Sequence, residues 1–205
     1  MSDQKHTDPR WLSSILQRAV DSFNNNSDVQ LLMDEDSDDG ERHGAVGERA
    51  IAHRFAVHLE RVLQDFGYPN EAVKIATDCE YNRHRGAVKQ HHVKEKLKKR
   101  VEDAHRTAQS DPKREGWYVF SVSPDIIVHE RGVDEKNLIV IEMKRASNSF
   151  DDDYDKLKLE LFTKQGYDDG YGYRLGASIV ALDQGGQEER KLIVAARFID
   201  GKQVA

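Results

Sequence analysis

Asp125, Glu142 and Lys144 are the residues of this chain whose types and spacing could do chemistry together. Asp125 follows Pro124 inside one apolar run, and Glu142-Met143-Lys144 interrupts another, Leu138–Arg145. If both runs are strands joined by the turn RGVDEKN at 131–137, the carboxylates stand on neighbouring strands. Glu142 and Lys144 are two residues apart and so point to the same face. Magnesium takes oxygen ligands in octahedral geometry, from one or two carboxylates, waters and phosphate. Asp125 and Glu142 could supply the carboxylates. Lys144 could orient or deprotonate a water, or stabilise developing negative charge. As a base it would need a lowered pKa, for which burial is the usual route.

The triplet alone carries no information. Asp/Glu-x-Lys starts at Asp3, Asp111, Asp134, Glu142, Glu189 and Asp200. Only the copy at Glu142 lies in an otherwise apolar strand and follows a strand bearing Pro-Asp. An unsatisfied polar group forced into such a strand costs roughly 1–3 kcal/mol. Groups of this kind are kept when they pair with each other or hold a ligand.

The surrounding pattern predicts the elements that position them. Residues 9–23 read as a short amphipathic helix with Asp8 as cap and Pro9 in its first turn. Residues 24–44 are polar and acidic, with six acids in 34–41, and read as a mobile linker. A helix is expected over about 45–66, from the stripe Ile51, Phe55, Leu59, Val62 and Phe66. Glu48 lies three residues before Ile51 on that stripe, an expensive place for a carboxylate without a partner.

A strand is expected over 72–82 and a basic helix over about 88–109, with an apolar seam at Val93, Leu97, Val101, Ala104 and Ala108. Trp117–His129 and Leu138–Arg145 read as strands, the second buried on both faces. A helix at about 152–165 and strands at 173–182 and 190–199 complete the chain. The fold class is therefore α/β, an α+β mixed sheet with flanking helices. It carries an N-terminal helical extension with acidic linker (1–43), a main domain (44–205) and a basic helical insert at about 83–116.

With these residues in place, the chain resembles the PD-(D/E)xK nuclease superfamily, whose fold is the restriction-endonuclease-like one. The matching residues are Pro124-Asp125 and Glu142-x-Lys144, and the resemblance covers about residues 44–182. It implies a magnesium-dependent nuclease, most readily a DNA endonuclease, with manganese as a substitute ion. It implies metal ligands at Asp125, Glu142 and the backbone carbonyl of Met143. It also implies a glutamate on the helix before the first core strand, a position that Gly47-Glu48-Arg49 fits. The chain departs from the exonuclease-like branch in having no clear Gln-x-x-x-Tyr motif after the last motif. The other reading is a catalytically inactive module of the same fold that binds nucleic acid or a protein partner.

Net charge is −6, yet residues 83–106 hold nine bases against three acids. Local potential steers a polyanion more than the global sum does. Candidate nucleic-acid contacts are Arg83, Arg85, Lys94, Lys98, Lys99, Arg145, Asn148 and Lys156, with Ser147 beside them. For Lys156, an ion pair with Asp153 three residues earlier explains the charge equally well. Cleaving both strands of a duplex usually needs two sites, so a homodimer is an expectation. No apolar run approaches the ~20 residues that span a bilayer. No signal core is visible, and the lone Cys79 fits a reducing, cytoplasmic compartment. His84, His91, His92 and His105 with Cys79 lack a zinc spacing.

Overall fold

A computed structural model describes residues 7–32, 46–68, 74–80, 83–84, 87–104, 106–133, 136–146, 152–165, 171–183 and 189–204, with backbone alone for 83–84, 87–88 and 152. Helix α1 (Pro9–Asn24) begins where the Asp8 carboxylate accepts the Arg10 amide at 2.8 Å, with Pro9 in the first turn. A short 3-10 helix (Ser27–Leu32) follows, and Leu32 is fully buried. The expected linker is thus folded as far as residue 32, because Leu32 joins the core; 33–45 lies outside the described residues. Helix α2 (Glu48–Asp65) buries Ile51, Phe55, Leu59 and Val62, as its spacing predicts.

The strands are β1 (Ile75–Cys79), β2 (Arg83–His84), β3 (Ala87–Val88) and β4 (Gln90–Lys94). Helix α3 (Glu95–Asp103) leads to β5 (Gln109–Ser110), β6 (Trp117–Ser121), β7 (Ile126–Glu130) and β8 (Asn137–Arg145). Helix α4 (Asp152–Thr163), β9 (Leu175–Leu182), β10 (Lys191–Ile199) and β11 (Lys202–Val204) follow. The main sheet has the order β1-β7-β8-β9-β10-β11. Only the β8–β9 pair is parallel, and α4 makes that crossover. The molecule is mixed α/β, a mixed sheet flanked by helices.

Two expectations need correction. The basic helix expected over 88–109 is strand β4 followed by the short α3. His91 and Val93 alternate inward, and β4 pairs with β6 through the register Gln90↔Ser121 to Lys94↔Trp117. The run Trp117–His129 is two strands in two sheets. β6 belongs to a three-stranded sheet with β4 and β5, whereas β7 belongs to the main one. Pro124 lacks the N–H needed to continue a ladder, so the chain leaves one sheet there and enters the other.

Hydrophobic burial forms two layers. Ile139, Ile141 and Met143 of β8 join α1 and α2 in one cluster. Val140 joins α4, β4 and β6 in the other. α1, expected as an extension, is therefore part of the core. A second tie is polar: Ser22 Oγ and Asp28 Oδ2 each lie 2.9 Å from a ring nitrogen of the buried His58 on α2. Asp28 is also paired with Arg54 at 2.8 Å.

Candidate functional site

The site is built where β7 stops pairing with β8. Their ladder begins at Ile126↔Ile141, so the far end of β8 runs on past its antiparallel neighbour. Alternate amides on that edge, of Met143 and Arg145, need other acceptors. The Asp125 carboxylate accepts Met143 N–H at 2.6 Å, and Glu48 Oε1 accepts Arg145 N–H at 3.0 Å. The backbone thus draws carboxylates from the start of β7 and the first turn of α2 to one stretch of strand. In an extended strand the N–H and C=O of one residue share an edge. The carbonyl of Met143 therefore faces the edge that Asp125 occupies.

Glu142 and Lys144 project from the opposite register of β8, towards α4. Glu142 is 2% exposed, and its Oε2 accepts from Lys158 Nζ at 2.6 Å. Lys158 reaches Asp155 at 3.0 Å as well. Oε1 of Glu142 and Nζ of Lys144 are buried without a hydrogen-bond partner among the described residues.

Burial pushes the Glu142 carboxyl well above the usual range, with the Asp125 charge adding and Lys158 opposing. Burial raises Asp125 too, against the Met143 amide bond that favours its charge. For Lys158, burial works against the ammonium, but Glu142 and Asp155 outweigh it and its pKa rises. Burial thus raises the two carboxyls by disfavouring their charge, whereas Lys158 rises because carboxylates surround its ammonium.

The site opens into a cleft of about 640 Å³. Glu48 and Arg49 of α2, Glu80 after β1, Ser121 of β6, Ser123 and Asp125 of the β6–β7 link, and Tyr154 and Lys158 of α4 line it with Arg106. Glu80 has a φ of 48°, and its amide donates to the Asp125 carbonyl at 2.9 Å. Its side chain meets Arg49 at 2.5 Å.

The donor set fits a hard divalent ion: all oxygen, with a buried carboxylate oxygen left unpaired. The carboxylates are not gathered around one point, however. Among the described residues no group of three or more His, Cys, Asp or Glu side chains stands ready to hold a metal. Glu142 is turned to Lys158, and Asp125 and Glu48 to backbone amides.

The remaining candidates scatter. Arg145 is buried, its guanidinium on Asp183 at 2.6 Å and the Val46 carbonyl at 2.6 Å, so this side chain is committed inside the fold. Lys94 lies over the Trp117 ring and Lys98 of α3 over Tyr118, both rings on the three-stranded sheet, while Lys99 is exposed on α3. Lys156 is half-buried on α4 and does not line the cleft. Arg83 is placed by backbone alone, and Arg85, Ser147 and Asn148 lie outside the described residues.

Arg106 and Lys158 are among the cleft residues that the sequence-based candidates omit. Arg106 is one of nine bases in its region with nothing to distinguish it. Lys158 does carry a signal: it stands four residues after Tyr154 and three before Leu161, on the buried stripe of α4. That is the same anomaly that marks Glu48.

No protein-family model, curated protein or solved structure matches the chain.

Proposed function

We propose that the chain is a metal-dependent nuclease of the restriction-endonuclease-like kind, most readily a DNA endonuclease. The observation that carries this reading is the end of β8, where Asp125 and Glu48 at the cleft take the Met143 and Arg145 amides and Glu142 and Lys144 keep buried polar atoms without a hydrogen-bond partner among the described residues. The order α2, β1, β7, β8, α4, β9, with β8 and β9 parallel, supports it. A bound divalent ion would supply Lewis acidity towards a phosphoryl oxygen.

Asp125, Glu142 and the Met143 carbonyl would hold that ion, with Glu48 assisting it or its water. Lys144 would orient or deprotonate the attacking water, or stabilise charge that develops on the phosphate. Its buried, unpaired Nζ suits that work, since among the described residues no group must be displaced first. Arg106 at the cleft, and Arg49 on leaving Glu80, would meet a phosphodiester backbone.

A second reading, an inactive module of the same fold, is favoured by one observation. The 2.6 Å pair between Glu142 and Lys158 already satisfies one oxygen of an expected ligand. Incubation with plasmid, single-stranded and branched DNA, with and without magnesium, separates the two. The nuclease reading expects magnesium-dependent cleavage that Lys144→Ala lowers about 100- to 10,000-fold. The other expects binding without cleavage.

A further inference from the structure

Lys158 is the cation that Glu142 is paired with. Its ammonium bonds Glu142 Oε2 at 2.6 Å and Asp155 at 3.0 Å, and its side chain is only 10% exposed. It enters from α4, an element that supplies no expected ligand, and it lines the cleft beside Asp125. The other oxygen of Glu142 is buried and, among the described residues, unpaired. An ammonium satisfies one carboxylate oxygen here and leaves the other, whereas an ion with several coordination positions could engage it.

We propose that Lys158 is a tethered counter-ion that occupies Glu142 in the metal-free protein and leaves when a divalent cation binds. This rests on the metal-dependent reading given above and adds its regulation. Without such a counter-ion, a buried carboxylate beside Asp125 would be uncompensated, a strongly destabilising state. Lys158 therefore keeps the apo site folded. It also sets a threshold for the incoming ion, because the binding-competent form is only the fraction of molecules with Glu142 released.

The lysine has somewhere to go. Asp155 is three residues away on its own helix, and the Tyr154 ring centroid is 5.2 Å from Nζ. Tyr154 lines the cleft and Asp155 is its neighbour on α4, so the displaced ammonium keeps a carboxylate and an aromatic face. In that position it would face the phosphate backbone instead of Glu142.

Two measurements test this on the intact protein. In the first, wild-type lysines are labelled by reductive methylation, with and without saturating magnesium, and mapped by mass spectrometry. Lys158 is expected to be protected without the ion and to label several-fold faster with it. In the second, manganese binding is measured by the decline of the free-ion spin-resonance signal. With Glu142 held in about nine molecules of ten, Lys158→Met tightens binding about tenfold.

Metal bound by wild type with Lys158 still protected, or affinity in Lys158→Met that is unchanged or weaker, overturns the proposal and leaves the metal site standing. Failure of both proteins to bind manganese overturns the proposal together with the metal-dependent reading. Should Lys158→Met not fold, the labelling of wild type decides alone.

Discussion

Lys144 is the residue at which stability and activity should part. Its Nζ is buried without a hydrogen-bond partner among the described residues. Replacing an unsatisfied buried polar group with an apolar one of similar shape is neutral or stabilising. Lys144→Met is therefore expected to unfold at the same or higher denaturant, by up to about 2 kcal/mol. The same variant should be inactive in cleavage. A large drop in stability would mean that Lys144 has a structural partner. Asp125 differs, since its carboxylate also caps the Met143 amide. Asp125→Ala should cost about 1–3 kcal/mol in the same assay, because the amide is left without its acceptor.

The elements carry predictions of their own. Helix α4 lies close on β9 at Gly176, where an added Cβ would stand 2.8 Å from Thr163 Cγ2 and 3.2 Å from Phe198 Cβ. Gly176→Ala should therefore destabilise by about 1–3 kcal/mol, read by chemical denaturation. The edge strand β1 is tied to the rest by Asp78, which takes bonds from His129 at 2.9 Å and from Arg131 Nε at 2.9 Å.

The Arg131 bonds, against burial, hold the Asp78 carboxyl below its usual range. Burial depresses His129, with Asp78 opposing. A depressed carboxyl stabilises above its unfolded pKa, about 3.9, and that contribution disappears as pH falls through the folded value. A depressed histidine destabilises the fold as pH falls below its unfolded pKa, about 6.5. Stability should thus fall in two stages on acidification, and Asp78→Asn should reduce the lower one, to which Asp28 and Asp111 also contribute. Unfolding curves at pH 7, 5 and 3 would check this.

Amphipathic spacing locates α1, α2 and α4, and continuous apolar runs locate β8 and β9, with β10 read from its own apolar positions. The region 88–129 misleads for a physical reason. Val93, Leu97 and Val101 fit a helical seam, while His91 and Val93 also fit strand alternation, and pairing with β6 decides between them. Pro124 is legible as half of a motif but also as a break between sheets. In the site, Glu48 stands out as a charge on an apolar stripe. Lys158 obeys the same rule, but the charged neighbours Asp153, Asp155 and Lys156 make it one of several ions on a short helix. The pairing of Glu142 with Lys158 has no local signature, since the two come from different elements.

At the scale of the whole molecule, charge is uneven: net −6, but with bases concentrated in 83–106. α3 and the three-stranded sheet set Lys94 and Lys98 over Trp117 and Tyr118, while Arg100 links α3 to Glu160 of α4 at 3.2 Å. The smaller sheet is thereby coupled to the helix that carries Lys158. If this face grips a nucleic-acid backbone, replacing Lys94, Lys98 and Lys99 by Ala should weaken binding for all sequences alike. The slope of log affinity against log salt should fall by roughly 0.9 for each duplex phosphate no longer neutralised. Among the described residues no helix is long and apolar enough to cross a membrane.

Whether this molecule is a nuclease is asked most directly by titrating magnesium into the purified protein with DNA, with Asp125→Asn and Lys144→Ala alongside. The expected result is strand scission that appears with magnesium in wild type and is absent in both variants while each stays folded. Scission that proceeds equally in wild type and both variants would refute the reading. So would the absence of scission by wild type on plasmid, single-stranded and branched substrates.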